Sequence, residues 1–171
     1  MVHPMHPDRF TTSQFVSSWM AQNQGRSVVL ALSCLSHDTW RLYSIGDSSY
    51  PTPYLSIVIC TYGRPESLNE TLTSLTKQTF NNFEVILITE KGSLSHLRDK
   101  GLRMAKGTFV SFIDDDVYCP PTWAQGVIEN LKRKGVVGVT GPTTITDEYR
   151  KNRDIFRIGW ARRLQERLFL D

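Results

Sequence analysis

YLSIVICTYGRPESLNETLTSLTKQ, residues 54–78, decides how this chain is read. It opens with an apolar, β-branched run of the kind found in strands buried on both faces. The period then changes. Leu68, Leu72 and Leu75 recur at i, i+4 and i+7, the stripe of an amphipathic helix, and Pro65 suits that helix's first turn. A buried strand that passes straight into a helix is half of a βαβ unit.

The pattern continues downstream. FEVILIT (83–89) predicts a second buried strand. SLSHLRDKGLRMAKG (93–107) predicts a helix with Leu94, Leu97, Leu102 and Ala105 toward one side, ending at Gly107. TFVSFID (108–114) predicts a third strand. PPTWAQGVIENLKRKG (120–135) puts Trp123, Val127 and Leu131 on one helical face, closed by Gly135, and VVGVTG (136–141) predicts a fourth strand. Alternation at this spacing gives an α/β fold: a mostly parallel, Rossmann-like sheet with helices on both faces.

Residues 1–53 read differently. TTSQFVSSWMAQNQG (11–25) sets Phe15, Trp19 and Met20 on one helical face. SVVLALSCL (27–35) and DTWRLYSIG (38–46) read as two short strands of a hairpin. GDSSYPTPY (46–54) is a linker in which Pro51 and Pro53 oppose regular structure. Three regions are therefore expected: a small N-terminal α/β extension (1–53), the α/β domain (54–145) and a basic helical tail (146–171).

Composition narrows the function classes. A chain of 171 residues, 40% hydrophobic and 22% charged, suits one soluble domain with a small appendage. Its apolar runs fall well short of the roughly 18 residues of a membrane span, and the start lacks the layout of a secretory signal. Cys34, Cys60 and Cys119 are widely spaced and form no paired-thiol motif, which suits a reducing cytoplasm. The net charge of +3 is uneven. Residues 149–171 hold seven Lys and Arg against three Asp and Glu, so the other 148 residues sum to −1. Nucleic acid is not an expected partner, because no recognition motif accompanies the basic tail.

Ligands of such sheets bind beyond the carboxyl ends of the strands. There the chain reads TYGRPE (61–66), EKGS (90–93), DDDVYCP (114–120) and GPTT (141–144). Three adjacent aspartates, Asp114 to Asp116, oppose one another's ionisation unless water solvates them or a positive group belongs among them. A hard divalent ion such as Mg²⁺ or Mn²⁺, held by one or two carboxylates and a substrate diphosphate, answers that repulsion. The first turn is not G-x-G-x-x-G and no G-x-x-x-x-G-K-[ST] run occurs, so neither a dinucleotide site nor a P-loop is supported.

Three segments in order, LSIVICTYGRPESLNETLTSLTKQTFNNFEVILI (55–88), LRDKGLRMAKGTFVSFIDDDV (97–117) and GVTGP (138–142), strongly resemble the nucleotide-binding half of family 2 glycosyltransferases, which have the GT-A fold. The resemblance covers a little over half of the chain and does not reach residues 1–53. It implies metal-dependent transfer of a sugar from a nucleotide diphosphate, UDP-sugar first, to an acceptor hydroxyl, with inversion, as in polysaccharide biosynthesis. It places Thr61, Tyr62 and Arg64 on base and ribose, with Pro65 in the same loop. Glu90 stands where the family usually has aspartate against the nucleotide, and Arg98 shapes the donor pocket. Asp99 replaces the family's usual asparagine, and Gly101 matches a glycine where a helix packs closely. Asp114 to Asp116 match the DxD element: Asp116 as metal ligand, Asp114 as ribose contact and second metal ligand, Asp115 serving either role.

Read without the resemblance, Tyr62 is as readily an edge aromatic as a base platform. Arg98 and Lys100 form an ordinary cationic face, Trp123 is core, and His96 and Cys60 are structural. No general base is assigned. Asp147, Glu148 and Asp154 follow the fourth strand without a matching motif, so the alternative expectation is a nucleotide-sugar-binding module or truncated fragment without acceptor chemistry. In the tail Trp160, Leu164 and Leu168 share a face with Arg162, Arg163 and Arg167 nearby. This predicts a basic amphipathic helix that docks on missing protein or lies on a membrane. A saccharide or lipid-linked acceptor, peripheral contact at the inner face of a membrane, and self-association are the remaining partner expectations.

Overall fold

A computed structural model describes residues 18–19, 29–36, 39–45 and 52–142. Strands β1 (Val29–Ser36) and β2 (Thr39–Ile45) precede β3 (Leu55–Cys60), α1 (Pro65–Leu75), β4 (Phe83–Ile88), α2 (Leu94–Met104), β5 (Phe109–Asp114) and α3 (Trp123–Leu131). One sheet holds all five strands in the order β1-β2-β4-β3-β5. Its centre is parallel: β3 pairs β4 with Ile57 opposite Val85, and β5 with Ile57 opposite Ser111. The hairpin β1–β2 is antiparallel and adds to the free edge of β4, also antiparallel, with Leu42 opposite Val85. The sheet is therefore mixed, a parallel core extended by an antiparallel hairpin.

The two-residue side-chain period of a strand sorts the core into two layers. Leu55, Ile57 and Ile59 of β3 and Phe83, Val85 and Leu87 of β4 face one side. There they pack with Leu68, Leu72 and Leu75 of α1, Ala124 and Ile128 of α3, and Trp40 and Leu42 of β2. Val58, Ile86 and Ile88 face the other side against Leu97 of α2. From β3 the chain crosses to β4 on one flank, then returns past β3 to β5. Reversing direction while keeping right-handed crossovers places α1 and α2 on opposite faces.

The Leu68–Leu72–Leu75 stripe is fully buried, as its spacing predicts. Only part of the expected face of α2 is in the core, namely Leu97 with Ala105 packed beside it. Leu94 and Leu102 are about half exposed, and the buried positions are Leu97 and Gly101. The approach of the helix to β3 explains this, since a β-carbon at Gly101 would stand 2.3 Å from Val58 Cγ1. The helix packs through its glycine, which turns the flanking leucines outward. In α3 the buried pair is Ala124 and Ile128, with Trp123 and Val127 beside them.

The expected fourth strand is absent. Residues 136–142 carry no strand assignment. Gly135 turns the chain with φ 85° and Val137 is wholly exposed. A run of valines and glycines becomes a strand only when an edge receives it, and it has no partner among the described residues. Residues Met1–Val137 and Gly138–Asp171 are two compact units. In the predicted N-terminal helix, Ser18 and Trp19 are helical and Trp19 is buried; Phe15 and Met20 lie outside the described residues. So do Asp147, Glu148, Asp154 and the tail helix with Trp160, Leu164 and Leu168.

Candidate functional site

Neighbouring strands β3 and β4 send the chain to opposite faces, and in open α/β sheets ligands bind beyond the carboxyl ends of strands that diverge in this way. Cys60 marks the level of that end, opposite Ile88 on one side and Asp114 on the other. The ladder runs one residue further, where the Thr61 amide donates to Ile88 O at 2.9 Å. Beyond it the loop turns at Gly63, with φ 68°, a conformation that favours glycine. That turn delivers Arg64 to the start of α1, where Pro65 occupies the first helical turn.

Arg64 meets the acidic triplet directly. Its Nη2 lies 2.5 Å from Asp115 Oδ1 and its Nη1 3.3 Å from Asp116 Oδ2. Arg98, from α2, donates to Asp114 Oδ1 at 2.8 Å, with its guanidinium 6.0 Å from the centre of the Phe112 ring. Two arginines therefore supply the positive charge that the triplet requires. The three carboxylates are not equivalent. Asp115 has a fully buried side chain, while those of Asp114 and Asp116 are 58% and 42% exposed. Asp115 is thus the inner counter-ion of Arg64, and the two outer aspartates stand at the rim.

The other expected residues lie at the same edge of the sheet. Glu90 follows β4 and accepts from Lys100 Nζ at 2.9 Å. Tyr62 is exposed and Thr61 buried. The Thr61 hydroxyl and both carboxyl oxygens of Asp115 are buried without a hydrogen-bond partner of ordinary geometry among the described residues. Burial pushes the Cys60 thiol up, with Asp114, Asp115 and Glu90 adding to the rise and Arg98 opposing it. The thiol is accordingly a neutral packing group.

Among the described residues, no group of three His, Cys, Asp or Glu side chains converges well enough to hold a metal ion alone. The donor chemistry nevertheless fits a hard cation: Asp114 and Asp116 present exposed carboxylate oxygens, and a Mg²⁺-type site needs only one or two beside substrate phosphates.

Sequence reasoning missed Lys100 as the partner of Glu90 and Phe112 as the ring beneath Arg98. It also missed a buried polar row on α1, Thr71 and Ser74 with Gln78 just beyond, which hydrogen-bonds the loop after the triplet. The signal was present: these positions follow a helical period beside the leucine stripe.

The family model described as glycosyl transferase family 2 matches residues 56–90 and 89–170. This chain belongs to glycosyl transferase family 2. Its α/β core accordingly has the GT-A architecture of that family. Among family 2 relatives it is similar to glucosyl-dolichyl phosphate glucuronosyltransferase of Haloferax volcanii, 24% identical over 60% of this chain and 42% of that one. It is also similar to hyaluronan synthase of Pasteurella multocida, 29% identical over 54% of this chain and 12% of that one. Of solved structures, residues 1–349 of TarS from S. aureus align at TM-score 0.40 and 23% identity, covering 52% of this chain and 38% of that one. The chain spans less than half the length of the curated relatives it matches.

Proposed function

We propose that this chain binds the donor of a metal-dependent sugar transfer, taking a nucleotide-diphosphate sugar, UDP-sugar first, and passing the sugar with inversion to an acceptor hydroxyl. The observation that carries this reading is the meeting of Arg64 with Asp115 and Asp116, and of Arg98 with Asp114, beyond the carboxyl ends of β3 and β5. Arginine forks match phosphate oxygens as well as carboxylates, so the cations that now quiet the triplet are suited to a diphosphate.

In this reading Asp115 holds Arg64 beyond the end of β3, and the exposed Tyr62 ring offers a face to the base. Thr61, Glu90 and Asp114 offer polar contacts to the nucleoside, and Arg98 stands over the donor pocket. Asp116 and Asp114 would hold the divalent ion, which supplies Lewis-acid stabilisation of charge on the departing diphosphate. The acceptor is a saccharide or a lipid-linked saccharide; the name of the Haloferax relative includes a dolichyl phosphate. Contact with a lipid-linked acceptor at a membrane surface belongs to the same proposal; among the described residues no helix is long and apolar enough to cross a membrane. No carboxylate is assigned as general base.

Calorimetry with UDP, GDP and dTDP, with and without Mn²⁺, tests the reading. The expected result is Mn²⁺-dependent binding of UDP that Asp116→Ala weakens at least tenfold, the order lost with a metal ligand's supports. Binding unaffected by Mn²⁺ and by that substitution overturns the metal assignment. A product assay with an acceptor then separates transferase from binding module.

A further inference from the structure

The loop that carries the triplet is fastened to α1 along its whole length, in a row that runs in step with the helix. At the N-terminal end Arg64 pairs with Asp115 and Asp116. About two turns on, in the buried face, Thr71 Oγ1 accepts from the Val117 amide at 3.1 Å. Ser74 Oγ accepts from the Cys119 amide at 3.0 Å and donates to Thr71 O at 2.7 Å, so its hydroxyl is committed in both directions. Gln78 ends the row. Its Nε2 donates toward the carbonyls of Cys119 at 3.2 Å, Pro120 at 2.8 Å and Ser74 at 3.3 Å, while its Oε1 accepts from the Ala124 amide at 2.9 Å. The opposite amide orientation would set an oxygen against three carbonyls, so the environment fixes the side chain. Thr71, Ser74 and Gln78 are all buried.

A loop could satisfy its backbone with water. This one instead uses three buried polar side chains from α1 and the turn just beyond it, each costly to bury unless paired. The bond nearest the triplet lies one residue beyond Asp116, on Val117. We propose that Thr71, Ser74 and Gln78 are positioning residues that hold Asp115 and Asp116 in register with Arg64; as a statement about ligand binding this rests on the donor-site reading above. The row explains why α1 presents hydroxyl and amide groups inward beside its leucines. It also makes the helix that begins at Arg64 the splint for the carboxylates which that arginine meets.

Thr71→Val keeps the shape of the side chain and removes the acceptor for the Val117 amide; Thr71→Ser restores the hydroxyl. The side-chain carboxyl ¹³C resonances of Asp115 and Asp116, read by NMR in the full chain without ligand, shift in Thr71→Val and return in Thr71→Ser. Calorimetry with UDP and Mn²⁺ then shows binding about tenfold weaker in Thr71→Val, the scale for losing a support behind a metal ligand, and recovered in Thr71→Ser. Ser74→Ala, which deletes one buried oxygen, gives the same resonance shift should Thr71→Val fail to fold. Carboxyl resonances unmoved in these variants, or equally displaced in Thr71→Ser, overturn the proposal. If the wild-type chain takes up no UDP with Mn²⁺, the donor-site reading falls, and the ligand-free resonances still decide the positioning role.

Discussion

The Arg64 guanidinium is the contact that neutralises Asp115, a carboxylate with no exposed surface, yet Arg64 itself is half in solvent at 53%. Burying a charge is tolerable only when it is paired, so the inner aspartate depends on a residue that stands half in solvent beyond the end of β3. This coupling is the physical link between the fold of the loop and its chemistry.

Removing Arg64 leaves Asp115 buried and uncompensated. Loss of one partner of a fully buried pair costs about 3–5 kcal/mol, and the solvent around Arg64 lowers this to about 1–3 kcal/mol for Arg64→Ala. Asp115→Asn relieves the charge, so the double variant is less destabilised than the sum of the single ones. Urea unfolding of the four proteins gives the coupling energy, expected at about 1 kcal/mol or more. Additive effects would show that the pair does not act as a unit.

A second buried pair fastens the hairpin to the sheet. Arg41 Nε lies 2.9 Å from Glu84 Oε2, and the other Glu84 oxygen accepts from Ser56 Oγ at 2.6 Å and the Lys106 amide at 2.8 Å. Arg41 also donates to Met104 O, tying β2 to the end of α2. Arg41→Met strands the Glu84 charge in the core and is expected to cost about 3–5 kcal/mol. Hydrogen exchange checks the location: amides of Thr39–Ile45 lose protection first, while those of β3 follow global unfolding. Uniform loss across the sheet would place the effect elsewhere.

Burial pushes the Cys119 thiol up to about 11 from an ordinary 9.0, against the opposing effect of its hydrogen bond with Ser74. Between those values the unfolded chain has released a proton that the folded chain retains. The folded state then holds more protons, so stability falls as pH rises through this window and is fully present below it. Urea midpoints followed from pH 9 to pH 11 should drop, and Cys119→Ala should flatten the drop while lowering stability throughout. A slope unchanged by that substitution would assign it to other groups.

Most of the layered core was legible because burial periods are local. Leu68, Leu72 and Leu75 announce their helix by spacing alone, and LSIVIC and FEVILI announce strands that prove buried on the sheet's two faces, with Cys60 half-buried at the end of the first. What failed were readings in which local pattern met a distant partner. Leu94 and Leu102 looked like core until the contact of Gly101 with Val58 turned the helix by its glycine. VVGVTG looked like a strand until no edge received it. TFVSFID read correctly as a strand, but its place at the edge of the described sheet, half exposed, was not local information.

The site divides along the same line. By itself the sequence placed Asp114, Asp115 and Asp116 after a strand and called for either solvating water or a positive partner, because adjacent like charges oppose one another's ionisation. It named Arg64 and Arg98 only as separate residues. Pairing Arg64 with Asp115 and Arg98 with Asp114 spans 51 and 16 positions of chain, and only strand order and crossover direction bring them together. Which aspartate is buried, and which two face solvent, follows from that packing, since burial is a property of what the rest of the chain places around a residue.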